Sequence, residues 1–115
     1  MDYNPNHAGL EGLLDLDGEI LVVTEAGHWV KIEARVVAES DLRPHGLKYA
    51  LTFHGPDNRR ILGYDNGHGI PQRYLPADHR HRHPGDEGQP FRFISPERLL
   101  QDFFRDVDVW LEVQS

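Results

Sequence analysis

A chain of 115 residues has the length of one domain and can bury roughly two-thirds of its unfolded surface around a single core. Its 38% hydrophobic content is too high for wholesale disorder, and no run approaches the ~18 apolar residues of a membrane span. The absence of cysteine removes thiol nucleophiles, disulfide frameworks, thiolate zinc sites and iron–sulfur clusters, so a metal site would have to be built from histidine and carboxylate. Residues 1–9 show neither the basic nor the apolar region of a signal peptide, and the cytoplasm is the expected location.

The net charge of −7 argues against a protein that coats nucleic acid electrostatically. That acidity is uneven. Residues 1–45 hold nine Asp/Glu against three Lys/Arg, and residues 99–115 hold four against one. The middle of the chain instead combines Arg59, Arg60, Arg73, Arg80, Arg82, Arg92 and Arg98 with His54, His68, His79, His81 and His83. A phosphate would be best accommodated there.

After an apolar lead-in at Leu10, Leu13, Leu14 and Leu16, the segments 19–24 and 28–38 read as two strands joined at Glu25-Ala26-Gly27. In the second, His28, Val30, Ile32, Ala34 and Val36 alternate onto one face, which is expected to be core. A third strand is expected over 47–54. The turn sequence Gly55-Pro56-Asp57-Asn58 then returns the chain antiparallel as a fourth strand over 59–64. The stretch from Asn66 to Pro90 has four Gly and four Pro in 25 residues and reads as a long loop of the functional or disordered kind. Ser95-Pro96 supplies an N-cap and a first-turn proline. Behind it Leu99, Leu100, Phe103, Phe104, Val107, Trp110 and Leu111 recur at helical spacing. The expected fold is α+β: a single domain over 1–115, with an antiparallel sheet of about four to six strands packed against one C-terminal amphipathic helix.

Two motifs can carry chemistry. In Asp78-His79-Arg80-His81-Arg82-His83, an extended backbone would turn the three histidines one way and Asp78, Arg80 and Arg82 the other. Imidazoles so grouped can share a metal ion, or can serve as general acid and base near their unperturbed pKa of ~6.5, with arginines holding a phosphate. The bland reading is a solvated His/Arg-rich loop. In Tyr64-Asp65-Asn66-Gly67-His68, Asp65 can ligate a metal or orient an imidazole, and His68 can complete a site with His79 and His81. The bland reading there is a turn in which Asp65 bonds backbone N–H groups. His7, His28 and His45 have no partners at chelating spacing, and Trp110, Phe103 and Phe104 belong to the helix's core stripe. No phosphate-binding glycine loop and no serine nucleophile motif is present.

The succession Tyr64-Asp65-Asn66, Asp78-His79-Arg80-His81, Gly85-Asp86-Glu87, Pro90-Phe91-Arg92-Phe93 and Leu99-Leu100-Gln101-Asp102-Phe103 resembles the TumE-like toxins of bacterial type II toxin–antitoxin systems, over roughly residues 46–107. The chain departs from that pattern by a longer insert between Asn66 and Asp78, including Ile70-Pro71-Gln72-Arg73-Tyr74. Asp65, His79 and His81 carry over directly. The resemblance implies a growth-inhibiting toxin neutralised by a cognate antitoxin with a DNA-binding domain. It also implies action on RNA during translation, with RNA or the ribosome as the partner. The residues offer compatible chemistry, with Asp65, His79 and His81 as catalytic candidates and Arg80 and Arg82 at the phosphate, and with either no cofactor required or a divalent metal. Two rival readings stay open. One is a divalent-metal hydrolase or nuclease using Asp65, His79 and His81, with His68 or His83 as further ligands. The other is a non-catalytic protein-binding module. A homodimer is compatible with any of the three.

Overall fold

The computed structural model describes residues 8–41, 43–66, 78–86 and 88–114. Two helices and six strands follow in the order α1 (Leu10–Asp15), β1 (Ile20–Val22), β2 (Trp29–Val36), β3 (Leu47–His54), β4 (Arg60–Asp65), β5 (His79–His81), β6 (Gln89–Pro90) and α2 (Pro96–Gln114). The strands form one sheet in the order β1-β2-β3-β4-β5-β6, and every neighbouring pair is antiparallel. The architecture is therefore the α+β class expected, at the upper end of the expected strand number.

Alternation in the central strands decides which face is buried. Val30, Ile32 and Ala34 of β2 lie opposite Phe53, Leu51 and Tyr49 of β3, and all six are nearly or fully buried. Leu51 and Phe53 in turn lie opposite Tyr64 and Leu62 of β4. Side chains paired in this way share a face, and α2 covers it. Leu99, Phe103 and Val107 recur every four residues and are buried, so one stripe of α2 meets the sheet. Removing such a side chain from water contributes roughly 1.5–3 kcal/mol. Phe53 meets Trp110 edge-on, with ring centroids 5.5 Å apart, and His28 stacks on Phe53 at 5.8 Å. His28 is thus a packing residue of the covered face.

Three local features differ from the sequence reading. The apolar lead-in forms the short helix α1, whose Leu13 is fully buried. The backbone N–H of Glu97 donates to the carbonyl of Ala8 at 2.8 Å, tying α1 to the start of α2. The supposed long loop from 66 to 90 contributes β5 and β6. Val36, at the end of β2, is exposed, at the rim of a depression it shares with Leu10, Leu47 and Pro96. The start of α2 is as expected: the Ser95 hydroxyl oxygen accepts the backbone N–H of Arg98 at 3.1 Å, which satisfies one free donor of the first turn.

Candidate active site

The uncovered face of the sheet holds the chemistry. Asp65 on β4 lies opposite His79 on β5, and Gly63 lies opposite His81. Residues two apart on a strand share a face, so Asp65, His79 and His81 point together, away from α2. His79 Nε2 stands 2.8 Å from Asp65 Oδ1, and His81 Nε2 stands 3.0 Å from Asp65 Oδ2. Each carboxylate oxygen therefore faces one imidazole. The two rings lie 5.0 Å apart and steeply inclined, and all three residues are buried. Burial pushes the Asp65 carboxyl upward, but the hydrogen bonds and charges of His79 and His81 outweigh it and hold the group well below the usual carboxylate range.

Several neighbours fix this arrangement. His81 Nδ1 is 2.7 Å from the backbone carbonyl of Asp86. The Arg60 guanidinium donates to the same carbonyl at 3.2 Å, and its Nη2 lies 3.1 Å from His81 Nδ1. Asp86 itself accepts the backbone N–H groups of Arg82 at 2.9 Å and Gly88 at 2.8 Å, so it closes the turn between β5 and β6. Those bonds hold its carboxyl below the ordinary value. Gly88 adopts φ +108, and a Cβ there would lie 2.8 Å from His79 Cδ2 and 3.0 Å from His81 Cε1. Only glycine permits the backbone to lie this close to both rings.

Behind the cluster, on the covered face, Tyr49 donates its hydroxyl to Asp78 Oδ1 at 2.6 Å. The other oxygen of Asp78 is buried without a hydrogen-bond partner among the described residues. Burial therefore raises the Asp78 carboxyl, and burial together with Asp78 raises the Tyr49 hydroxyl strongly. Asn66 prolongs β4 in side-chain form. Its amide oxygen accepts the Tyr49 backbone N–H at 2.9 Å, and its amide nitrogen donates to the Leu47 carbonyl at 2.8 Å. Asp65 consequently belongs to a strand, and the turn reading of this motif gives way to the ladder.

The site residues expected from sequence separate by face. Asp65, His79 and His81 come together. Arg80 and Arg82 project the other way: Arg80 forms an ion pair with Asp106 of α2 at 2.7 Å and lies over the Tyr64 ring at 5.5 Å, and Arg82 lines a depression beside Trp110 and Val113. His83 is exposed beyond the end of β5. His7, His68 and the insert residues Ile70 to Tyr74 lie outside the described residues. Arg60, Asp86, Gly88 and Tyr49 were not singled out in the sequence as site residues, although the expected pairing of β3 with β4 already placed Arg60 at the mouth of β4.

In front of Asp65 the open face forms a groove of about 560 Å³, lined among others by Arg35, Lys48, Ala50, Arg60, Asp17 and Glu33. Its acids are engaged. Glu33 pairs with Lys31 at 3.1 Å, and Asp17 accepts the Ala34 backbone N–H at 2.9 Å. The arrangement can transfer protons, hold a cation between ring nitrogens and carboxylate, and receive an anion along the groove. A family model described as "Toxin TumE" matches residues 11–111. The chain belongs to the TumE toxin family. Membership makes it a toxin and gives it an antitoxin as its partner. No curated protein and no solved structure matches it significantly. Among the described residues, no helix of this TumE toxin is long and apolar enough to cross a membrane.

Proposed function

We propose that this toxin acts on RNA, and that it cleaves the phosphodiester backbone at the centre formed by Asp65, His79 and His81. The observation that carries the reading is the position of that buried centre at the end of a groove bearing Arg35, Lys48 and Arg60. An acidic chain thus presents cations to a polyanion where the reactive groups lie. Long-range repulsion from a net charge of −7 is screened over ~8 Å at physiological ionic strength, whereas groove cations act within that distance.

Cleavage requires a proton to leave the attacking oxygen, negative charge to be stabilised at phosphorus, and a proton to reach the leaving ribose oxygen, which is the 5′-oxygen when the 2′-hydroxyl attacks and the 3′-oxygen when water attack leaves a 5′-phosphate. The imidazoles serve this step either by exchanging those protons or by holding an ion that activates the attacking oxygen. Arg60 stands beside His81 and supplies positive charge for a phosphate oxygen. The antitoxin, which we take to carry a DNA-binding domain, would neutralise the toxin by covering the groove.

The test is induction of wild type and of His79→Ala/His81→Ala in growing bacteria, with mapping of RNA ends after incubation with each purified protein. Growth arrest and new RNA ends from wild type alone support the reading. Equal toxicity of the folded double variant would overturn it in favour of a non-catalytic binding module. The ends also discriminate mechanism. A 2′,3′-cyclic phosphate follows from attack by the ribose hydroxyl, and a 5′-phosphate from attack by water.

A further inference from the structure

His81 is held from both sides of its ring. Its Nδ1 lies 2.7 Å from the backbone carbonyl of Asp86 and 3.1 Å from Arg60 Nη2, while Nε2 faces Asp65 Oδ2 at 3.0 Å. His79 turns its own Nε2 to the other oxygen of the same carboxylate at 2.8 Å, so two ring nitrogens and two carboxylate oxygens converge on one buried point.

We infer that Asp65, His79 and His81 form the protein half of a binding site for one divalent transition-metal ion. Their donor atoms all lie within 4.8 Å of one another and all three residues are buried. Ligand atoms about 2.1 Å from an ion and at right angles to each other stand roughly 3 Å apart, which matches the 2.8 and 3.0 Å nitrogen–oxygen contacts. The bond from His81 Nδ1 to a backbone carbonyl is the arrangement that fixes a ligating imidazole with its other nitrogen free for metal. Two imidazoles and one carboxylate select zinc, iron, cobalt or manganese over magnesium or calcium, whose sites are built from oxygen. Three protein ligands leave coordination positions for water and a phosphate oxygen. Gly88, which admits no side chain against the rings, keeps their flank closed by backbone.

The inference concerns the same centre as the functional reading, but binding is measured without RNA, so either can fail alone. Tag-free protein is stripped with chelator, dialysed and titrated with Co²⁺ and Zn²⁺. One equivalent bound by wild type is expected, with visible Co²⁺ absorption, and affinity should fall 10- to 100-fold or more in Asp65→Asn and His81→Gln while His83→Ala binds as wild type. Paramagnetic broadening by Co²⁺ in the wild-type NMR spectrum should strike the His79 and His81 ring signals first, which locates the ion even if a variant fails to fold. Absence of a stoichiometric site in wild type, or broadening centred on other histidines, would overturn the inference.

Discussion

Gly88 lies against His79 so closely that a Cβ on the glycine would stand 2.8 Å from the ring's Cδ2. Gly88→Ala is therefore expected to displace both imidazoles and to strain a backbone at φ +108, costing about 1–3 kcal/mol. Toxicity should be lost while the sheet persists. Gly85→Ala is the matched control. Its φ is +83 but nothing lies within 4 Å of the added Cβ, so it should carry backbone strain of about 1 kcal/mol and keep toxicity. Urea denaturation and growth assays on the pair separate strain from displacement of the histidines.

Asp106 joins α2 to the sheet by accepting the Tyr64 hydroxyl at 2.5 Å and the Arg80 guanidinium at 2.7 Å. Asp106→Ala leaves both donors without this acceptor at a partly buried position, with an expected loss of about 2–3 kcal/mol in urea unfolding. Tyr64→Phe should cost less, about 1 kcal/mol. In a double-mutant cycle the two losses should be less than additive, since both variants break the same bond.

Tyr49→Phe removes the hydroxyl that donates to the buried Asp78 carboxylate. The expected destabilisation is about 1–3 kcal/mol near neutral pH. Its pH dependence has a definite sign. Burial already raises the Asp78 carboxyl above its ordinary value; a carboxyl raised in the folded state binds its proton more tightly there than in the unfolded chain, so ionisation costs stability as pH rises. Loss of the Tyr49 donor strengthens that effect. The difference from wild type should shrink as the pH is lowered towards about 4, as measured by chemical denaturation at a series of pH values.

His54 stacks on Trp29 with ring centroids 4.0 Å apart and planes within 9°. Burial lowers its pKa, against an opposing hydrogen bond to the Asn58 carbonyl, and Arg60 and Lys31 lower it further. The folded ring should thus protonate below the ordinary value of about 6.5. The stability this contributes is present above that value and declines as pH falls through the lowered one. Trp29 fluorescence should be quenched over the same acid range, and His54→Gln should remove that transition.

Much of the sheet is legible in the sequence because alternation is a local property. Val30, Ile32 and Ala34 announce a buried face, and Gly55-Pro56-Asp57-Asn58 announces the return into β4. The apolar spacing of Leu99, Phe103 and Val107 announces the helix in the same way. The pairing of Asp65 with His79 is harder to read, since it depends on β5 adding beside β4, and a strand of three residues gives too few alternations to stand out from a loop. Asp65-Asn66-Gly67 also has turn chemistry, and only the contacts of Asn66 with Tyr49 and Leu47 show that the ladder prevails. Arg80 and Arg82 illustrate the converse. Their alternation with the histidines is visible in the sequence, but which charges approach the centre follows from the helix covering one side of the sheet.

The link between Asp106 and the strands that carry the histidines also bears on the order in which activity emerges during synthesis. All three candidate ligands have been polymerised by residue 81, yet Arg80 between two of them finds its acidic partner only 26 residues later on α2. A growing chain that has not yet reached Asp106 therefore carries the candidate ligands without the helical carboxylate that pairs with the strand between them, so the site is assembled only once α2 has been made and has docked on the sheet.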